Sequence, residues 1–200
     1  MKIGIIIPSD CPDEKLVKFA GELVQREDTM VVVVDDGCEE DIVYTRIFQM
    51  LEERGTTVLH HKHRLGRGMA IKTGMRYAIK QCGQLAAVVT VDEDGWYSPE
   101  DVFRVCNQLE KKRDSIILGT RNLKAGGVPW IYRAKNAVAS FQFRLATGIT
   151  CSDVLTRLCG IPRKYLDIAL ATENDSGRYE RLFLTEAAKT KIPLEFTMNA

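Results

Sequence analysis

The chain has 200 residues, 45% of them hydrophobic, with 28 Lys plus Arg set against 27 Asp plus Glu. That size and apolar content suit one packed domain and exclude a disordered or fibrous chain, and the charge balance provides no global field for a nucleic-acid partner. No apolar run approaches the ~18 residues of a membrane span, and the few apolar residues before Pro8 are too short for a signal-peptide core, so a soluble, cytoplasmic chain is expected.

Strands are expected at residues 3–7, 31–34, 57–59, 87–91 and 116–118, where β-branched runs recur with little polar alternation. Helices are expected between them, at 13–26, 41–54, 68–81 and 99–112. Strands apolar on both faces and separated by helices predict a mainly parallel, doubly wound α/β sheet with right-handed crossovers. Turn chemistry agrees: Asp10 or Pro12 opens the first helix, Gly55 and Gly83 close the second and third, and Ser98-Pro99-Glu100 starts the fourth. Beyond Arg121 the pattern changes. Lys124-Ala125-Gly126-Gly127 reads as a flexible loop, and 129–147 as a longer helix with Ile131, Ala134, Val138, Phe141 and Leu145 on one stripe, which is expected to pack Phe141 on the sheet. A short segment at 152–159, a helix from Pro162, a helix at 178–190 and a last strand at 194–197 follow.

Val91-Asp92-Glu93-Asp94-Gly95 ends the fourth strand, and strand tips are where open α/β sheets bind ligands. Asp92 and Asp94 point to one side of an extended chain, so they can share a divalent cation that also takes oxygens from a diphosphate. The plain alternative is an acidic turn. Asp35-Asp36-Gly37 ends the second strand, where carboxylates can accept hydrogen bonds from a base and ribose, or can cap the next helix with help from Glu39 and Glu40. Gly66, Gly68 and Gly74 allow backbone to approach a phosphate at a helix start, with Arg67 and Lys72 adding charge. This run lacks the lysine-serine ending of a P-loop and follows the wrong strand for a dinucleotide fingerprint. No acid occurs between Glu53 and Asp92, a stretch that holds all three histidines, so a basic surface lies beside the acidic tip. His61 and His63 share a side of their strand but lack a carboxylate, and a strand's wet end is the expected reading. The six cysteines show no metal-ligand or redox spacing and are read as free thiols.

Taken in order, residues 8–16 (P-S-D-C-P-D-E-K-L), V-V-D-D-G, G-x-G-x-A-x-x-x-G, D-x-D-G-x-x-S-P-E-D and Gly119-Thr120-Arg121 resemble family 2 glycosyltransferases of the GT-A fold. Thr147-Gly148, Ser152-Asp153, Thr156, Gly160-Ile161-Pro162 and Gly177-Arg178-Tyr179-Glu180 extend the likeness over nearly the whole chain, which is similar to the bacterial dolichol- and polyprenyl-phosphate sugar synthases. The resemblance implies one domain with a nucleotide-sugar half, 1–121, and an acceptor half, 122–200. It implies a donor site at Pro8, Asp35, Asp36, Gly66, Gly68, Lys72 and Asp92, with Mg²⁺ or Mn²⁺ on Asp92 and Asp94. It further implies catalysis through Asp94 and Arg121, and an acceptor phosphate on Arg121 and Arg133.

The implied reaction is a single inverting displacement from a nucleoside-diphosphate sugar to a lipid phosphate at the inner membrane face. A phosphate monoester with a second pKa of ~6 needs no strong base, and the chain offers no obvious one. Several positions depart from the pattern. Trp96 and Tyr97 replace a glutamine-histidine pair, Arg157-Leu158-Cys159 stand for G-L-R, and Leu182 for a second glutamate, while Cys11, Cys38 and Arg64 replace asparagine, serine and asparagine. These departures leave open a second reading, a nucleotide-sugar-binding module with little or no turnover. A sugar-1-phosphate nucleotidyltransferase fits less well, because its glycine-rich loop would follow the first strand.

Overall fold

The structure, a computed structural model, describes residues 2–38, 42–123, 128–173 and 178–198. The expected roles of Glu39, Glu40, the helix start at Asp41, the 124–127 loop and Gly177 lie outside the described residues. In chain order the elements are β1 (Lys2–Ser9), α1 (Glu14–Val24), β2 (Thr29–Asp35), α2 (Ile42–Glu53), β3 (Thr57–His60), α3 (Arg67–Gln81), β4 (Leu85–Thr90), α4 (Pro99–Lys111) and β5 (Ile116–Thr120). There follow α5 (Trp130–Thr147), β6 (Cys159–Pro162), α6 (Leu166–Ala171), α7 (Tyr179–Lys189) and β7 (Leu194–Met198).

These strands form one sheet of seven in the order β3-β2-β1-β4-β6-β5-β7. Every pairing is parallel except those of β6, which runs antiparallel between β4 and β5. The expected α/β, mainly parallel and doubly wound sheet is what forms. Its centre explains the unalternating apolar runs. Ile3, Ile5 and Ile7 of β1 pack with α1, α2 and α4 on one face, while Ile6 packs with α3, α6 and α7 on the other, so successive side chains all find apolar partners. At Gly74 in α3 an added Cβ would lie 2.4 Å from Ile6 Cγ2, so the helix seats on β1 only because a side chain is missing there.

Local chemistry sets the ends. Asp13, rather than Asp10 or Pro12, caps α1 by accepting the Lys15 N–H at 2.8 Å, and Cys82 precedes Gly83 in closing α3. Ser98 and Asp101 form a reciprocal capping box on α4 with proline in its first turn. Strand β6 departs from expectation, since residues 159–162 read as loop and helix start. Four residues with a glycine carry almost no periodic signal. Yet an added Cβ on Gly160 would meet Val105 Cγ1 at 2.7 Å, so α4 packs directly on that backbone.

The long helix α5 corrects a second expectation. Its stripe does not face the core: Ile131, Val138, Phe141 and Leu145 are all exposed, Leu145 at 71%. Its buried face is Asn136, Ala139 and Phe143. Asn136 docks the helix, donating from Nδ2 to the Ser152 carbonyl at 2.7 Å and accepting the Leu155 N–H at 3.2 Å. A polar anchor has no hydrophobic period, and so the stripe alone misassigned the face.

Candidate active site

Strand order reverses at β1 and β4, and their C-terminal tips face one crevice, as the switch-point rule requires. A cavity of about 380 Å³ opens there. Pro8, Ser9 and Asp10 line it from β1, Asp36 from β2, and Asp92, Glu93 and Asp94 from β4. Arg64, Gly66 and Arg67 enter from the β3–α3 loop, and Arg157 from the segment before β6. A second cavity of about 400 Å³ lies alongside, lined by Trp96, Arg121, Tyr132, Lys135 and Arg181 among others. Asp94 and Arg157 line both.

Of the residues expected at the donor site, Pro8, Asp36, Gly66, Asp92 and Asp94 are thus brought together, while Asp35, Gly68 and Lys72 do not line the first cavity. Lys72 has a different occupation. It is buried, its ammonium donates to the Thr172 carbonyl and it sits 5.7 Å from the Tyr179 ring centroid, so its charge is spent inside the fold. Arg121 lines only the second cavity, and the exposed Arg133 lines neither. Helical phase explains the difference: Lys135 lies on the turn above Tyr132, toward the cavity, and Arg133 is rotated off that face.

The two aspartates of D-D-G have separate tasks. Asp35 accepts the Cys38 N–H at 2.8 Å and pairs with His60 at 2.8 Å. Burial would raise its pKa, but those two partners outweigh burial and hold the carboxyl below its ordinary value. Asp36 holds the loop before α3. It accepts N–H bonds from Leu65 at 3.0 Å and Gly66 at 2.8 Å, and pairs with His61 at 2.9 Å. Nε2 of His61 bonds the Thr73 hydroxyl at 2.9 Å, so two of the three histidines are partners of the aspartate pair. Gly37 follows at φ +77°, and an added Cβ would fall 2.4 Å from the His63 carbonyl carbon, which makes the glycine obligatory where the two loops meet.

Glu93 was passed over in the sequence as the middle of D-x-D. It latches the β1 tip, accepting the Ser9 hydroxyl at 2.7 Å and the Asp10 N–H at 3.0 Å. Burial raises its carboxyl above the ordinary value, against these bonds, which lower it. A raised carboxyl stabilises the fold below its unfolded value of 4.5, and that contribution is lost as the pH rises through the folded value. Glu93→Gln should therefore raise the melting temperature at neutral pH and fail to do so in acid near the unfolded pKa. Calorimetry at the two pH values checks this, and equal shifts at both would refute it.

Asp92 is buried and held by two guanidinium groups: Arg157 Nη1 donates to Oδ2 at 2.7 Å, and Arg67 contacts Oδ1. Arg67 reaches on to Glu180, 2.6 Å from its Nε. Burial pushes the Arg67 pKa down, with Glu180 opposing. Trp96 and Tyr97, which replace the expected glutamine and histidine, cage Arg121, whose guanidinium carbon lies 5.3 and 5.8 Å from their ring centroids. Asp153, fully buried, takes Arg121 in a fork at 2.8 and 3.0 Å. The hydroxyl of Tyr97 also accepts the Arg157 N–H at 2.9 Å, fixing that residue's backbone.

Cys11 and Cys38, 27 residues apart, are brought together with Asp10 because the β1 and β2 tips adjoin, a proximity no sequence spacing could display. Burial, with Asp35 beside it, pushes the Cys38 thiol up to about 12.

A model of the family described as Glycosyl transferase family 2 matches residues 14–168. Among solved structures, the chain is similar to glucosyl-3-phosphoglycerate synthase from Mycobacterium tuberculosis. In that enzyme's complex with Mn²⁺, UDP and glucosyl-3-phosphoglycerate, the TM-score is 0.74 at 14% identity, over 98% of this chain and 69% of that one. In its complex with Mg²⁺ and UDP, the TM-score is 0.70 at 13% identity, over 98% and 69%. At such identity the likeness is one of fold. A search of curated proteins finds no match.

Proposed function

The chain belongs to glycosyl transferase family 2, and on that premise we propose that it is a metal-dependent inverting enzyme that moves a sugar from a nucleoside-diphosphate donor in the first cavity to a lipid-carried phosphate in the second. The observation that carries this reading is that two cavities meet at Asp94 and Arg157, so a donor and an acceptor can face each other across one carboxylate and one cation. Residues 1–121 supply most of the donor side and 122–200 most of the acceptor side, with Asp94, Trp96, Arg121 and Arg157 crossing the division.

The residues suit a hard divalent cation. Asp94 is exposed, spends one oxygen on the Trp96 N–H at 3.2 Å, and offers oxygen rather than sulfur or imidazole. Asp92 and Asp94 offer two carboxylates at one cavity, and Mg²⁺ or Mn²⁺ held by one or two carboxylates draws its remaining oxygens from water and a diphosphate. Asp94 and Asp92 would hold the ion, which when bound neutralises charge growing on the departing nucleotide. The relatives of similar fold carry Mn²⁺ or Mg²⁺ with UDP, which supports the choice.

Asp36 shapes the loop over the nucleoside, and Glu93 closes the β1 tip against the diphosphate. The second cavity holds Arg121, Lys135, Arg157 and Arg181 against Asp94 and Glu180, a cationic excess that suits a phosphate nucleophile. Such a nucleophile is already ionised, and no general base is needed. The lipid part is supported by α5, which exposes Trp130, Phe141 and Leu145 with Arg133, Lys135 and Arg144 and carries no acid, the composition of a helix lying on an anionic membrane surface. No described helix is long and apolar enough to cross a membrane.

Calorimetric titration of UDP and GDP with and without Mn²⁺, followed by transfer to undecaprenyl phosphate on the same sample, tests the proposal. Asp94→Ala should make the affinities with Mn²⁺ and with EDTA equal. Full Mn²⁺ enhancement in the variant would remove Asp94 from the site, and binding without any transfer would favour a nucleotide-binding module.

A further inference from the structure

Arg157 stands where the family resemblance has the glycine of G-L-R, and it is not a loose surface charge. Its Nη1 is 2.7 Å from Asp92 Oδ2, and its backbone is pinned by Tyr97. Its side chain is 43% exposed, so the head can swing about a fixed Cα while Asp92, 7% exposed, cannot follow. Arg67 stands on the other side of the same carboxylate and carries a buried Nη2 with no hydrogen bond among the described residues. Asp92 Oδ1 is in direct contact with Arg67 Nη1, so both of its oxygens are held by arginine. Both arginines line the first cavity.

One carboxylate therefore holds two guanidinium groups at the place where a donor's diphosphate would enter, and one of them keeps an idle buried donor. A guanidinium offers a planar fork of N–H groups matched to phosphate oxygens, and a diphosphate carries more charge than the carboxylate it would displace. Accepting the donor reading above, we propose that Arg157, with Arg67 behind it, is a direct ligand of the donor diphosphate: on binding, the Arg157 head exchanges Asp92 for phosphate oxygens. The exchange has two consequences. The arginines supply cationic charge that does not depend on a metal, so nucleoside diphosphate binds in its absence. The exchange also frees Asp92 Oδ2, so the diphosphate itself completes the carboxylate pair that takes the ion, and metal adds to a binding that arginine has already established.

The test is calorimetric titration of UDP and GDP into wild type, R157G and R157Q, each in EDTA and in Mn²⁺, with melting curves to confirm the fold. R157Q keeps the ordinary backbone, so it separates lost charge from the freedom of a new glycine. Wild type should bind in EDTA within about tenfold of its Mn²⁺ affinity, whereas both variants should lose at least about tenfold in EDTA and less than about threefold in Mn²⁺. Binding by wild type in Mn²⁺ but not in EDTA, or variants that match wild type in EDTA, would overturn the arginine assignment. No binding of either nucleotide in either condition would instead overturn the donor reading on which it rests.

Discussion

Arg121→Ala should cost about 3–5 kcal/mol of stability, because it leaves a buried carboxylate without its counter-charge. Asp153 is 0% exposed and receives two bonds from the Arg121 side chain and one from its backbone N–H at 3.1 Å. The same guanidinium donates to the Leu155 carbonyl at 3.1 Å and to the Tyr132 hydroxyl, tying β5 to α5 and to the segment before β6. Its pKa is raised: burial alone would lower it, but Asp153 and the neighbouring tyrosines prevail. Urea denaturation measures the loss. Removing both charges in R121M/D153N should recover much of it, since a buried pair replaced by neutral groups leaves no orphan. In the folded fraction nucleotide affinity should persist, because Arg121 does not line the first cavity. A stable R121A that loses only transfer would show instead that this arginine is committed to the acceptor.

Asp36→Ala should abolish measurable nucleotide binding and lower stability together, by about 3 kcal/mol, as two backbone N–H groups and one imidazole lose a charged acceptor. Those two N–H groups belong to Leu65 and Gly66, the residues that hold Arg64 and Arg67 at the cavity. Asp36→Asn keeps one acceptor oxygen and the volume, and should fall between wild type and alanine in both calorimetric affinity and melting temperature. Loss of affinity at unchanged stability would mean that Asp36 serves the ligand alone. The sequence allowed a ligand contact or a helix cap; the structure shows a third use, the organisation of a loop that itself lines the site.

How much was readable from residues alone follows from which interactions are local. Alternation, apolar runs and caps are set by neighbours a few positions away, so the succession of strands and helices through β5 and the cap at Ser98 could be read directly. Placing Pro8, Asp36, Asp92 and Asp94 at strand tips needed only the rule that a parallel sheet gathers its C-terminal ends, and they do share one cavity. Where local signal was thin or misleading, expectation failed. Residues 159–162 have no period, and the α5 stripe is regular but turned to solvent.

The sequence by itself determined the sheet's parallel character, the order of its first five strands along the chain, the family resemblance and the acidic tip that marks the site. Only the tertiary structure decided that Lys72 is spent on the Thr172 carbonyl, that Arg121 is locked to Asp153, that Glu93 latches Ser9, and that Arg157 crosses 65 residues to reach Asp92. The physical reason is common to all four. A charged side chain has a definite role only when its counter-charge is known, and in a doubly wound fold that partner arrives from a distant strand tip or helix end, at a separation that carries no signature in the sequence.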